Sequence, residues 1–157
     1  MRVLVEGTLD RAIVLFGSGT DPDPELTWAR GITLLAGDGS GVPPDHAGPI
    51  AVVGWSATGL DAVAFAARHA KVVDRLALVA TPIPADEGAL GFALPDVAAK
   101  TLLLFGARDP MTGSRHGTWW QQRLANARLE MDPGGEHDLL VPKWKRVLSH
   151  LAPRCKR

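Results

Sequence analysis

Cysteine is nearly absent from this chain of 157 residues, with a single residue, Cys155, close to its end. One cysteine excludes an internal disulfide framework and fits a reducing compartment. An excess of charge of either sign is missing too. Seventeen Lys and Arg balance seventeen Asp and Glu, and the pI is about 7.0. Such a chain carries no electrostatic footprint for nucleic acid or for an anionic membrane surface. The basic tail Pro153-Arg154-Cys155-Lys156-Arg157 is short and reads as a solvated terminus. No apolar run approaches the roughly 18 residues of a membrane span. The first run, in MRVLVEGTLD, meets Glu6 too early to serve as a signal peptide. Internal repeats and low-complexity segments are also lacking. His46, His69, His116 and His150 show no metal-ligand spacing and read as surface or packing residues, so no metal or cofactor is expected. The expectation is a cytoplasmic protein without nucleic-acid or membrane partners, its oligomeric state left open.

What is present is an ordinary core. Apolar residues make up 46% and charged residues 22%, enough for one domain over residues 1–157. Apolar runs predict strands at 3–5 and 13–16, read together as a reduced N-terminal hairpin, and at 32–35, 50–53, 76–80, 101–105 and 128–131. Helices are predicted at about 24–30, 60–70, 117–125 and 140–151. Residues 82–100 read as irregular, with a short helix near 95–99. Several strands are continuously apolar, which points to an α/β fold: a mostly parallel sheet of about six to seven strands covered by helices on both faces. In such sheets ligands bind beyond the carboxyl ends of the strands. The loops at 17–22, 54–59, 106–113 and 132–138 should therefore converge.

The chemistry centres on Gly54-Trp55-Ser56-Ala57-Thr58-Gly59, between an apolar strand and a helix whose Leu60, Val63, Ala64 and Ala67 share a face. A serine on so sharp a turn has its hydroxyl exposed above the sheet edge, and small residues are needed two places to either side. Gly54 meets that demand fully and Thr58 in part. The alternative is that Ser56 only caps the helix. Further on, Asp109 follows Phe105-Gly106-Ala107-Arg108, and His137 lies in the glycine-rich turn Asp132-Pro133-Gly134-Gly135-Glu136-His137-Asp138. Asp109 before Pro110 is also a common turn starter, and Asp132 and Asp138 are rival carboxylates read as helix caps. His116 is a second candidate base.

The order Ser56, Asp109, His137, each after its own strand, resembles the α/β-hydrolase family, whose nucleophile, acid and histidine follow in that order. The resemblance runs from the glycine loop at residue 17 to the last helix. It implies that His137 takes the Ser56 proton and returns it to the leaving group, while Asp109 holds the imidazole tautomer. It further implies an oxyanion hole built from the backbone N–H of Ala57 and of Ser18, although Phe16-Gly17-Ser18 keeps the glycine of the family's His-Gly loop and not the histidine. A serine nucleophile argues against the dehalogenase and dienelactone hydrolase branches.

Two other motifs fail. Gly17-Ser18-Gly19 would need a third glycine where Pro22 stands, and GDGSG at 37–41 lacks the ending of a phosphate-binding loop. The segment after the 76–80 strand is too short for a cap domain. An open, shallow cleft is expected, lined by Phe16, Trp55 and Met111, with Ile83, Leu90, Phe92 and Trp119 as further candidates. Such a site suits a small acyl substrate, an ester or thioester. The different-class alternative is a catalytically silent α/β-hydrolase-like binding protein, favoured by the short chain and by Thr58 in place of glycine.

Overall fold

A computed structural model describes residues 1–17, 21–38, 41 and 48–157. Seven strands form one sheet in the order β1-β3-β2-β4-β5-β6-β7. They are β1 (Arg2–Val5), β2 (Ala12–Phe16), β3 (Thr33–Ala36), β4 (Ile50–Trp55), β5 (Val73–Val79), β6 (Lys100–Gly106) and β7 (Ala127–Asp132). Only β1 runs antiparallel to its neighbour. The helices are α1 (Pro24–Ala29), α2 (Gly59–Arg68), α3 (Ser114–Arg123) and α4 (Trp144–Leu151).

Strand periodicity divides the apolar residues between two cores. Val14, Val52, Leu78, Leu103 and Phe105 face one way, toward Phe65 and Ala66 of α2 and Trp120 of α3. Ile13, Val53, Ala77, Leu102 and Leu104 face the other, toward Trp144, Val147, Leu148 and Leu151 of α4. A strand buried on both faces is almost continuously apolar, which explains the unbroken runs in β2 and β4.

The expected N-terminal hairpin is not formed. β1 pairs with β3, and β2 lies between β3 and β4. β2 is buried along its whole length and needs a strand on each side, whereas β1 exposes Arg2 and Val3 and suits an edge. The connection between them crosses the start of β3, where Gly7 donates to Thr33 Oγ1 at 3.0 Å and Thr8 and Leu9 donate to the Gly31 carbonyl. Helix limits also shift. α3 begins at Ser114 because Gly113, at φ 76°, breaks the chain just before it. α4 begins at Trp144 rather than near 140, since Pro142 disfavours helical backbone at the residue before it.

Three arginines from separate parts of the chain hold the carboxyl end of α4. Arg75 donates to the His150 carbonyl, Arg11 to that of Leu151 and Arg30 to that of Ala152. Positive charge there also suits the helix dipole. α4 is thereby fixed behind the loop that carries His137.

Candidate active site

Ser56 follows β4 directly, Asp109 lies three residues beyond β6, and His137 five beyond β7. All three stand off the carboxyl ends of parallel strands. Ser56 Oγ is 2.7 Å from His137 Nε2, and His137 Nδ1 is 2.8 Å from Asp109 Oδ2. Ser56 therefore bonds to the imidazole and not to the backbone of the helix behind it.

The elbow is strained in a specific way. Ser56 has φ 55°, a left-handed conformation that costs a residue with a side chain about 1 kcal/mol. Close packing holds it. A Cβ on Gly54 would stand 2.6 Å from Gly59 Cα, and one on Gly59 would run into Thr81 Oγ1. The tight place behind the serine is thus Gly59, three residues past it, rather than position 58. Thr58 instead donates its hydroxyl to the carbonyls of Trp55 at 2.6 Å and Phe16 at 2.8 Å. Ala57 N–H belongs to the first turn of a 3₁₀ segment over Ser56–Thr58, where amides have no intrahelical acceptor.

The acid and histidine loops are stitched together by backbone. Ala107 donates to the Asp132 carbonyl and Arg108 to that of Gly135, each at 2.9 Å. This approach needs Gly106, whose Cβ would stand 2.6 Å from the Glu136 carbonyl and closer still to that of Gly135. Burial of Asp109 works against its ionisation. Hydrogen bonds from Thr112, His137 and the Met111 amide outweigh it, and the carboxyl sits below the usual carboxylate value. Thr112 Oγ1 reaches Oδ2 at 2.5 Å and Met111 N reaches Oδ1 at 2.7 Å. An ionised Asp109 can only accept, so His137 Nδ1 carries the proton it shares with that carboxylate. In the neutral imidazole Nε2 is then the acceptor, to which Ser56 can donate.

Of the remaining candidates, Trp55 and Met111 lie beside the triad and the others away from it. Trp55, expected in the cleft, donates its indole N–H to the His137 carbonyl at 2.9 Å, its ring 5.3 Å from the imidazole. Phe16, also expected there, is buried with its ring against Phe65, because β2 ends inside the core. Met111 is 64% exposed beside the acid. His116 Nδ1 accepts from the Ile83 amide at 2.8 Å, and burial, then Arg115, lower its pKa. Asp132 lies 3.6 Å from Lys143 Nζ, and Asp138 is exposed. Leu90 and Phe92 pack against the α2-side core, as does Trp119. Ser18 and His46 lie outside the described residues.

Sequence reasoning missed Thr112 and the clamp made by Trp55. The first carries a weak signal, a hydroxyl three residues after an aspartate in a turn. The second carries none, since indole and carbonyl are 82 positions apart. Among the described residues no three His, Cys, Asp or Glu gather as a metal ion would need, and no helix is long and apolar enough to cross a membrane.

No protein-family model matches the sequence, and no curated protein does. Solved structures do. A serine hydrolase involved in carbazole degradation superposes with TM-score 0.68 at 14% identity, over 97% of this chain and 94% of that one. A putative dienelactone hydrolase from Klebsiella pneumoniae gives 0.68 at 17% identity, over 95% and 89%. An α/β-hydrolase enzyme from a lagoon-sediment metagenome gives 0.69 at 13%, over 94% and 90%. The chain has the α/β-hydrolase fold. At these identities the likeness is one of architecture.

Proposed function

We propose that the protein is a serine hydrolase that cleaves a small ester or thioester through an acyl-enzyme. The observation that carries this reading is the unbroken hydrogen-bond relay Ser56–His137–Asp109, at 2.7 and 2.8 Å. A serine hydroxyl is a weak nucleophile until a base takes its proton. As Ser56 Oγ bonds to the substrate carbonyl carbon, His137 Nε2 accepts that proton. Asp109 stabilises the imidazolium that forms. The tetrahedral oxyanion lies against the Ala57 N–H, with Ser18 as the second donor. Collapse breaks the bond to the leaving group, which takes the proton from Nε2. Water then repeats the sequence, and acid and free Ser56 result. No cofactor enters these steps.

The acyl group is small in this reading. Between β5 and β6 the chain makes only two single-turn 3₁₀ segments, Glu87–Ala89 and Leu94–Asp96, so no helical cap is inserted between these strands. Acetyl and butyryl esters should react faster than long-chain esters. A cytoplasmic site of action fits the single cysteine.

A fluorophosphonate probe tests the reading. Wild type should label covalently, and Ser56→Ala should not. Folded wild-type protein that does not label, and does not hydrolyse p-nitrophenyl acetate, would leave a silent binding protein of this fold as the better account.

A further inference from the structure

Thr58 occupies the place where members of the family that this sequence resembles carry glycine, and the space there is used. Its hydroxyl has one proton and two carbonyls within reach. One belongs to Trp55, immediately before Ser56, so that contact spans Ser56 and Ala57 and closes the turn on itself. The other belongs to Phe16, the last residue of β2, which lies beside Gly54 in the parallel pairing of β2 with β4. The same side chain therefore ties the elbow to itself and to the next strand end. Ser56 meanwhile sits at φ 55°. A left-handed residue with a side chain persists only where its surroundings over-determine it. Glycine packing behind the elbow supplies one constraint, and the Thr58 hydroxyl supplies a second.

We propose that Thr58 is a positioning residue. Its hydroxyl clamps the elbow so that Ser56 Oγ stays in line with His137 Nε2 and the Ala57 amide keeps its direction. The effect on rate rests on Ser56 being the nucleophile, whereas the clamp does not depend on any reaction.

Three variants, Thr58→Ala, Thr58→Ser and Thr58→Gly, separate the hydroxyl from bulk and backbone. Each is assayed with p-nitrophenyl acetate and by amide hydrogen exchange in peptides covering residues 12–17 and 54–60. Thr58→Ala should lose about tenfold in kcat with KM unchanged, the rate equivalent of one well-placed hydrogen bond. Its elbow amides should exchange about tenfold faster, reporting the same lost constraint. Thr58→Ser should restore both, and Thr58→Gly should restore neither. Wild-type kcat in Thr58→Ala, a Thr58→Gly enzyme as fast as wild type, or a serine variant no better than alanine would overturn the proposal. Should the alanine variant fail to fold, the serine and glycine pair decides between the same outcomes. Should wild type neither turn over nor label, the hydrolase reading fails alone. Exchange then judges the clamp, and unchanged elbow amides in Thr58→Ala would reject it.

Discussion

Asp109→Asn asks whether the acid sets the tautomer of His137. The carboxylate accepts from the Met111 amide at Oδ1, and from Thr112 and His137 at Oδ2. An asparagine has one acceptor oxygen. The Met111 N–H is fixed backbone and can only donate, so the amide oxygen must take the Oδ1 position. The NH₂ group then faces Thr112 and His137. Thr112 can rotate its hydroxyl and accept. His137 can answer only by presenting an unprotonated Nδ1, which moves its proton to Nε2. That nitrogen can no longer take the proton of Ser56. Turning the amide around would set two N–H groups against each other at Met111, in a side chain with no exposed surface. The expected loss is about 10³- to 10⁴-fold in kcat, or about 4–5.5 kcal/mol, with KM little changed. Steady-state hydrolysis of p-nitrophenyl acetate at pH 7 reads it, with circular dichroism to verify folding. A folded variant that loses less than tenfold would refute the tautomer argument.

Trp55→Phe keeps a ring beside the imidazole but removes the N–H that holds the His137 carbonyl. A net hydrogen bond of about 0.5–1.5 kcal/mol should appear as a lower Tm together with a severalfold fall in kcat; no change in either would dismiss the clamp. Gly59→Ala forces a methyl group into buried Thr81 and should cost about 1–3 kcal/mol of stability in a denaturant titration. Adding Thr81→Ala should recover part of that loss, and strict additivity of the two changes would count against the contact. His150 is buried against the carbonyls of Leu76 and Lys100, and burial lowers its pKa from 6.5 to about 4. Between those values the unfolded chain binds the proton and the folded one does not, so stability falls as pH drops from about 6.5 to about 4, by up to about 3 kcal/mol. Denaturant midpoints across that window should slope in wild type and flatten in His150→Gln; equal slopes would exclude His150 as the cause.

Much of the architecture was legible in the sequence because its signals are local. A strand buried on both faces is almost continuously apolar, so β2, β4 and the run 102–105 of β6 announce themselves in composition. Ser56 and Asp109 stand out because each follows such a strand, and His137 because it lies in a turn rich in glycine. Their meeting was an inference from parallel topology, which sends successive strands out at the same edge.

Other features required the folded chain. The pairing of β1 with β3 depends on which strand needs two neighbours, a property of the whole sheet. Pro142 and Gly113 moved helix starts that apolar periodicity alone sets elsewhere. Trp55 and Phe16 are aromatic residues near the site by sequence, yet one holds the His137 backbone and the other fills the core. No periodicity distinguishes those fates, because they depend on which surfaces lie opposite. Thr58 illustrates the division most clearly. The chain alone shows only that glycine is missing there, while its use is decided by two carbonyls, one 42 residues away, that folding brings within reach of a single hydroxyl.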